Sequence, residues 1–133
     1  MAEPGETGAE TATEPGGVVL DIARLDGLRR LIGDAEFQRL ADRFLGDLSV
    51  RVVAMGRLGV AGDYAPLARE AHSLHGTAGS YGLATVAALA ARIEAACAGA
   101  GSAETLPMLA ALSTAMAASV ALVTEHFGLD SST

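Results

Sequence analysis

Leu67-Ala68-Arg69-Glu70-Ala71-His72-Ser73-Leu74-His75-Gly76-Thr77-Ala78 is the stretch from which the fold is read. At the roughly 100° per residue of an α-helix, Leu67, Ala71, Leu74 and Ala78 fall into one narrow apolar stripe, which predicts a helix with that stripe as its core face. His72 then points away from the core. Its neighbours on the outer face are Ala68, Arg69, His75, Gly76 and Gly79.

Glycine inside a helix costs about 1 kcal/mol relative to alanine, and this chain uses alanine freely in its other helical segments. Two glycines beside one histidine have two explanations. In one, another protein's surface comes within bonding distance of the imidazole, and a Cβ at position 76 or 79 would hold it off. In the other, His72 is an ordinary surface histidine and the glycines mark an early helix end. Spacing alone leaves both open.

Outward from this stretch the apolar period stays helical. Asp21 is placed to cap a short helix carrying Ile22, Leu25, Leu28 and Leu31, closed by Gly33. Asp34 reads as the N-cap of a second helix with the stripe Phe37, Leu40, Phe44, Leu48, Val52 and Met55, ended by the segment from Gly59 to Gly62. Asp63 reads as the cap of the histidine helix, with Pro66 close enough to its start to be tolerated. Beyond a turn from Ser80 to Gly82, a fourth stripe runs Val86, Leu89, Ala90, Ile93 and Cys97. A last helix begins near Glu104 or Thr105, because Pro107 belongs in a first turn, and carries Leu109, Leu112, Met116, Val120, Val123 and Phe127. No segment shows the alternation of a strand. Brief connections favour antiparallel neighbours, so the expected fold is all-α: an up-down-up-down four-helix bundle with a short extra N-terminal helix. Residues 1–17 lack large apolar side chains and read as a disordered tail, residues 18–128 as the bundle and residues 129–133 as a short C-terminal tail.

With 133 residues the chain suits one domain. Half of it is hydrophobic while aromatics make up only 4%, so the core is built from small aliphatics. The net charge of −7 argues against nucleic acid as a partner. All nine basic residues are arginines scattered without a cluster, a pattern that resembles coding bias more than a binding code. The single cysteine, Cys97, lies on an apolar stripe and fits a reducing compartment. Neither a secretory leader nor an uncharged stretch long enough for a bilayer is read, so the expectation is a cytoplasmic protein without membrane contact. One bundle burying its own stripes gives no demand for a dimer, and a monomer is expected.

A bundle with one outward imidazole admits few reactions. Ser73 is adjacent to His72 and points elsewhere, which excludes a serine-hydrolase pair, and no phosphate-binding glycine loop occurs. His72 and His75, three apart, have a spacing that could share a metal, but the inward acidic residues of metal-binding bundles are missing from the stripes. His126 reads as a partner of the last helix's dipole. A nucleophilic histidine that carries a phosphoryl group needs only exposure and room.

The run from Ala71 to Gly82 resembles the signature of histidine-containing phosphotransfer (HPt) domains, A-H-x-L-K-G-[ST]-[SA]-x-x-[LIVMFY]-G. The resemblance extends to Phe44-Leu45, to Asp63 before the histidine helix and to Ala91-Arg92-Ile93-Glu94, and spans about Leu20 to Phe127. It implies that His72 accepts a phosphoryl group from a receiver-domain aspartate and passes it to another receiver. Gly76 then admits the partner, and Gly82 is the glycine of the turn. The chain would be a phosphocarrier and no enzyme, without a cofactor of its own, since the receiver supplies the catalytic groups and Mg²⁺. Its partners would be response-regulator receiver domains and a hybrid sensor histidine kinase. Docking would use small and apolar residues around His72, with Ala68, Arg69 and Gly79 as candidate contacts. One position departs from the signature: His75 stands where lysine is usual, so it would support His72 with a pH dependence that an ammonium lacks. The alternatives in other classes are an interaction module that carries no phosphate and a metal-binding bundle using His72 and His75.

Overall fold

Leu67, Ala71, Leu74 and Ala78 are fully buried, and the helix they belong to is one of five among the described residues. The computed structural model describes residues 11–13, 17–99 and 103–129. In chain order the elements are β1 (Thr11–Thr13), β2 (Val19–Asp21), α1 (Ile22–Ile32), α2 (Asp34–Ala61), α3 (Tyr64–Ser80), α4 (Ala84–Ala98) and α5 (Thr105–Phe127). Helix α2 packs on α3 and α5, and α4 packs on the same two, so the four long helices close a ring around one core; α1 lies against α2. Helices α2 and α5 run antiparallel. Gly59 near the end of α2 meets Leu109 near the start of α5, and Phe37 near the start of α2 meets Phe127 at the end of α5, with ring centroids 5.0 Å apart.

The core follows the stripes read from sequence. Phe37, Phe44, Leu48, Val52 and Met55 of α2, Val86, Ala90, Ile93 and Cys97 of α4, and Leu109, Leu112, Met116 and Val123 of α5 are buried together. Burial pushes the Cys97 thiol above its ordinary pKa, which makes it a small apolar core residue. Gly59 does not end its helix: α2 continues to Ala61 and closes on Gly62. A Cβ at position 59 would collide with the Leu109 side chain, so this glycine brings α2 and α5 together.

Several local expectations are corrected. Leu31 is 81% exposed, and α1 instead turns Ile22, Leu25, Leu28 and Ile32 inward. Asp34 is the first residue of α2 and not its cap; Gly33 holds the cap position, and the Asp34 carboxylate accepts from Arg29 Nη1 at 3.1 Å. Asp63 stands at the cap of α3, but only its backbone carbonyl is used, accepting from the Leu67 amide. Two strands exist where none was expected. Thr11–Thr13 pairs antiparallel with Val19–Asp21, so these three residues of the expected tail are paired backbone, while 1–10 and 14–16 lie outside the described residues. At the other end Leu129 packs against the core, and its amide donates to Thr124; residues 130–133 lie outside the described residues. Finally, α5 is long and apolar enough by length and composition to cross a membrane, because no charge falls between Thr105 and Thr124.

Strand β2 is fastened to the turn between α3 and α4. The Asp21 amide donates to the Gly82 carbonyl at 2.8 Å, and the Val19 amide donates to Thr85 Oγ1 at 2.7 Å. Gly82 has φ +77°, and a Cβ there would sit 2.9 Å from the Asp21 carbonyl oxygen. Both the backbone conformation and the space therefore demand glycine. Asp21 also caps α1, its Oδ1 accepting from the Arg24 amide at 3.1 Å. Further along α1, a hydrogen bond from Arg29 holds the Asp26 carboxyl below its usual pKa.

Two substitutions test this account by urea unfolding. Gly82→Ala should lower stability by at least about 1 kcal/mol through left-handed strain and the clash with Asp21. Ser119→Ala should raise it by about 1 kcal/mol, since the buried Ser119 Oγ has no hydrogen-bond partner among the described residues.

Candidate functional site

The rotation of α3 that buries its stripe leaves the His72 side chain 74% exposed. Its neighbour in the groove is α4, where burial of Ala90, Ile93 and Cys97 sets Glu94 on the flank facing α3. His72 Nδ1 lies 3.0 Å from Glu94 Oε2 and 3.3 Å from Oε1. A carboxylate only accepts, so Nδ1 carries the proton and donates it. The lone pair then resides on Nε2.

His75, one turn further along, is held differently. Its Nδ1 lies 3.0 Å from the Ala87 carbonyl oxygen and donates to it, tying α3 to α4. The two histidines thus engage separate partners on the same neighbouring helix. Among the described residues no group of three or more His, Cys, Asp or Glu side chains converges to hold a metal.

The small residues around His72 divide by role. At Gly76 a Cβ would meet nothing within 4 Å, so no contact within the chain requires glycine there. Gly79 is half-buried, and a Cβ there would lie 4.0 Å from the Ala87 Cβ, in ordinary contact with α4. Ala68 is half-buried against the core, whereas Arg69 is exposed. On the other flank of α3, Arg51 of α2 donates from Nη2 to Ser73 Oγ at 2.6 Å, and its Nε lies 3.9 Å from Glu70 Oε1. At the end of α3 the Tyr81 ring stacks on Phe44, with centroids 4.0 Å apart and planes 5° from parallel. His126, in the last turn of α5, stands edge-on to Phe127 and lines a cleft of about 400 Å³ with Asp26, Arg29 and Phe37.

Sequence reasoning placed His72, His75 and Gly76 on one outer face but missed the two side chains that bracket it, Glu94 and Arg51. Glu94 was legible as the charged residue after buried Ile93. That it reaches His72, 22 positions earlier, depends on how α3 and α4 pack.

Residues 39–122 match the family model described as the Hpt domain. Among solved structures, the fold is similar to the crystal structure of histidine-containing phosphotransfer protein B (HptB) from Pseudomonas aeruginosa PAO1, with a TM-score of 0.75. Sequence identity there is 21%, over 82% of this chain and 94% of that one. No curated protein matches the chain.

Because the space at position 76 is open, Gly76→Ala should raise stability in urea or thermal unfolding by up to about 1 kcal/mol, the helix-propensity difference alone. A loss of stability would mean that the glycine serves the fold of this chain.

Proposed function

The chain belongs to the Hpt domain family, and on that premise we propose that His72 takes a phosphoryl group from a receiver-domain aspartate and hands it to another receiver. The observation that carries this reading is the exposed ring of His72, tied through Nδ1 to Glu94 and open at Nε2. In the first transfer Nε2 attacks the phosphorus of the acyl phosphate in line. The N–P bond forms as the P–O bond to the aspartyl carboxylate breaks, and that carboxylate leaves with the electron pair. Nδ1 keeps its proton, so the phosphorylated ring gains positive charge, which the Glu94 carboxylate offsets across the hydrogen bond. The second transfer is the reverse displacement onto a new carboxylate.

The receiver supplies the aspartate and Mg²⁺, and this chain supplies the nucleophile and a docking face, so it acts as a phosphocarrier and not as an enzyme. Gly76 leaves room for the receiver's active site, Ala68 and Gly79 offer small surfaces beside it, and Arg69 is the charged contact. His75 supports the phosphoryl group from its anchored position on the Ala87 carbonyl. A hybrid sensor histidine kinase stands upstream, and the setting is the cytoplasm, with neither membrane nor nucleic acid involved. The working unit is residues 18–128, with the four long helices running alternately up and down. The short links at Gly62-Asp63 and Tyr81–Leu83 support that arrangement, as does the antiparallel contact of α2 with α5.

Incubation with a phosphorylated receiver should place acid-labile, alkali-stable phosphate on the chain, and His72→Gln should abolish it. Phosphate retained after loss of His72 would defeat the assignment, and a wild-type chain that takes no phosphate but binds the receiver would favour the interaction-module reading. His75→Ala should weaken acceptance without abolishing it. Glu94→Gln should slow acceptance up to about fivefold, since a hydrogen-bonded pair at an exposed site contributes at most about 1 kcal/mol after solvent screening. Gly76→Ala should slow transfer while leaving the chain folded.

A further inference from the structure

The face of the ring formed by α2 and α5 lies opposite the groove of α3 and α4 that holds His72, and it is unlike the rest of the surface. Among the described residues, four of the five large hydrophobic side chains that stand exposed lie on these two helices: Val50, Val53 and Val60 on α2 and Leu106 on α5. The outer side of α5 is uncharged from Leu106 to Thr124. On α2, Gly46 and Gly56 flank Val50 and Val53 inside a helix, where glycine is destabilising relative to alanine. A Cβ at either would meet nothing within 4 Å, so the fold itself does not explain them.

We propose that this face is a dimer interface and that its occupant is a second copy of the chain, antiparallel across a two-fold axis. The charges argue for self-pairing. A two-fold axis crossing α2 between Ser49 and Val50 places Asp42 of one copy opposite Arg57 of the other, and Gly46 opposite Val53. Both charged residues are exposed, Asp42 accepts only from Gln38, and Arg57 has no acidic partner among the described residues. The packing of Gly59 on Leu109 and of Phe37 near Phe127 sets the register of α5 on α2. The same axis therefore crosses α5 near Met116. Ala110, Ser113, Ala117 and Ala121 then meet their counterparts, all exposed and too small to hold two helices apart.

The area suffices. Helix α5 is about 34 Å long by its 23 residues. Two helices side by side present a face roughly 18 Å across. That is roughly 600 Å² per copy and about 1,200 Å² in all, the lower edge of stable interfaces. A net charge of −7 opposes contact between copies through most of the surface, and it also opposes an anionic bilayer. On this face the acidic side chain meets an arginine. The interface is isologous, so it closes at two copies and leaves both His72 rings on its outer sides.

Sedimentation velocity of the full chain across micromolar to millimolar concentration tests the proposal without using phosphoryl transfer, so its failure and that of the phosphocarrier reading are separate. A dimer is expected, in place of the monomer that self-buried stripes alone imply. Val53→Glu should raise its dissociation constant about a hundredfold while its far-ultraviolet circular dichroism and unfolding cooperativity stay unchanged, which shows that the variant folds. Arg57→Asp should weaken the dimer, and Asp42→Arg combined with Arg57→Asp should restore it. A chain that stays monomeric at millimolar concentration overturns the proposal. So does a dimer indifferent to Val53→Glu, a charge swap that fails to restore association, or flotation of the chain with neutral phosphatidylcholine vesicles.

Discussion

Burial of Leu67, Ala71, Leu74 and Ala78 sets the rotation of α3 about its own axis, and the position of every reactive group follows from that rotation. With the stripe inward, His72 is directed into the shallow groove beside α4, and Arg69 and Gly76 are outward. A shift of one residue in the stripe would swing the imidazole by roughly 100° and separate it from Glu94. The same burial brings His75 to the Ala87 carbonyl. The apolar core is thus what aims the polar site, through rigid helices and not through a loop.

The hydrogen bond between His72 and Glu94 has a chemical consequence beyond orientation. It assigns the proton to Nδ1, leaves the lone pair on Nε2, and provides a negative neighbour for the charge that the ring would acquire in the transfer we propose. Because His72 remains largely exposed, little desolvation penalty accompanies this arrangement. An open site of this kind suits a group that must be donated as readily as it is accepted.

Glycine serves separate purposes in one small bundle. At Gly82 it permits a left-handed turn against Asp21, and at Gly59 it lets α2 approach Leu109 of α5. At Gly76, as at Gly46 and Gly56, the missing Cβ would meet open space, so the reason is sought outside the chain. In the sequence Gly46, Gly56 and Gly59 are equivalent interruptions of one helix. Only the packing separates those that serve the fold from those that no contact within the chain requires.

Much of the fold was legible because helical periodicity and burial are one physical fact: a residue on the apolar stripe has nowhere else to go. The helix boundaries near Gly33, Gly62 and Thr105, the core face of α3 and the outward His72 all follow from spacing. What failed was local competition. Leu31 and Ile32 are adjacent apolar residues about 100° apart on a short helix, and the neighbours of α1 chose Ile32. Asp34 had the chemistry of a cap, but Arg29 claimed its carboxylate. The pairing of Thr11–Thr13 with Val19–Asp21 escaped a search for alternation because so short a ladder carries almost no pattern. The chain by itself therefore determined the helices, their buried faces and the exposed histidine, since these depend on neighbours one turn apart. Tertiary structure alone decided that Glu94 meets His72, that Arg51 meets Ser73, and that the uncharged outer side of α5 lies beside α2 on the far side. Those relations join residues distant in sequence, and they exist only once the helices have packed.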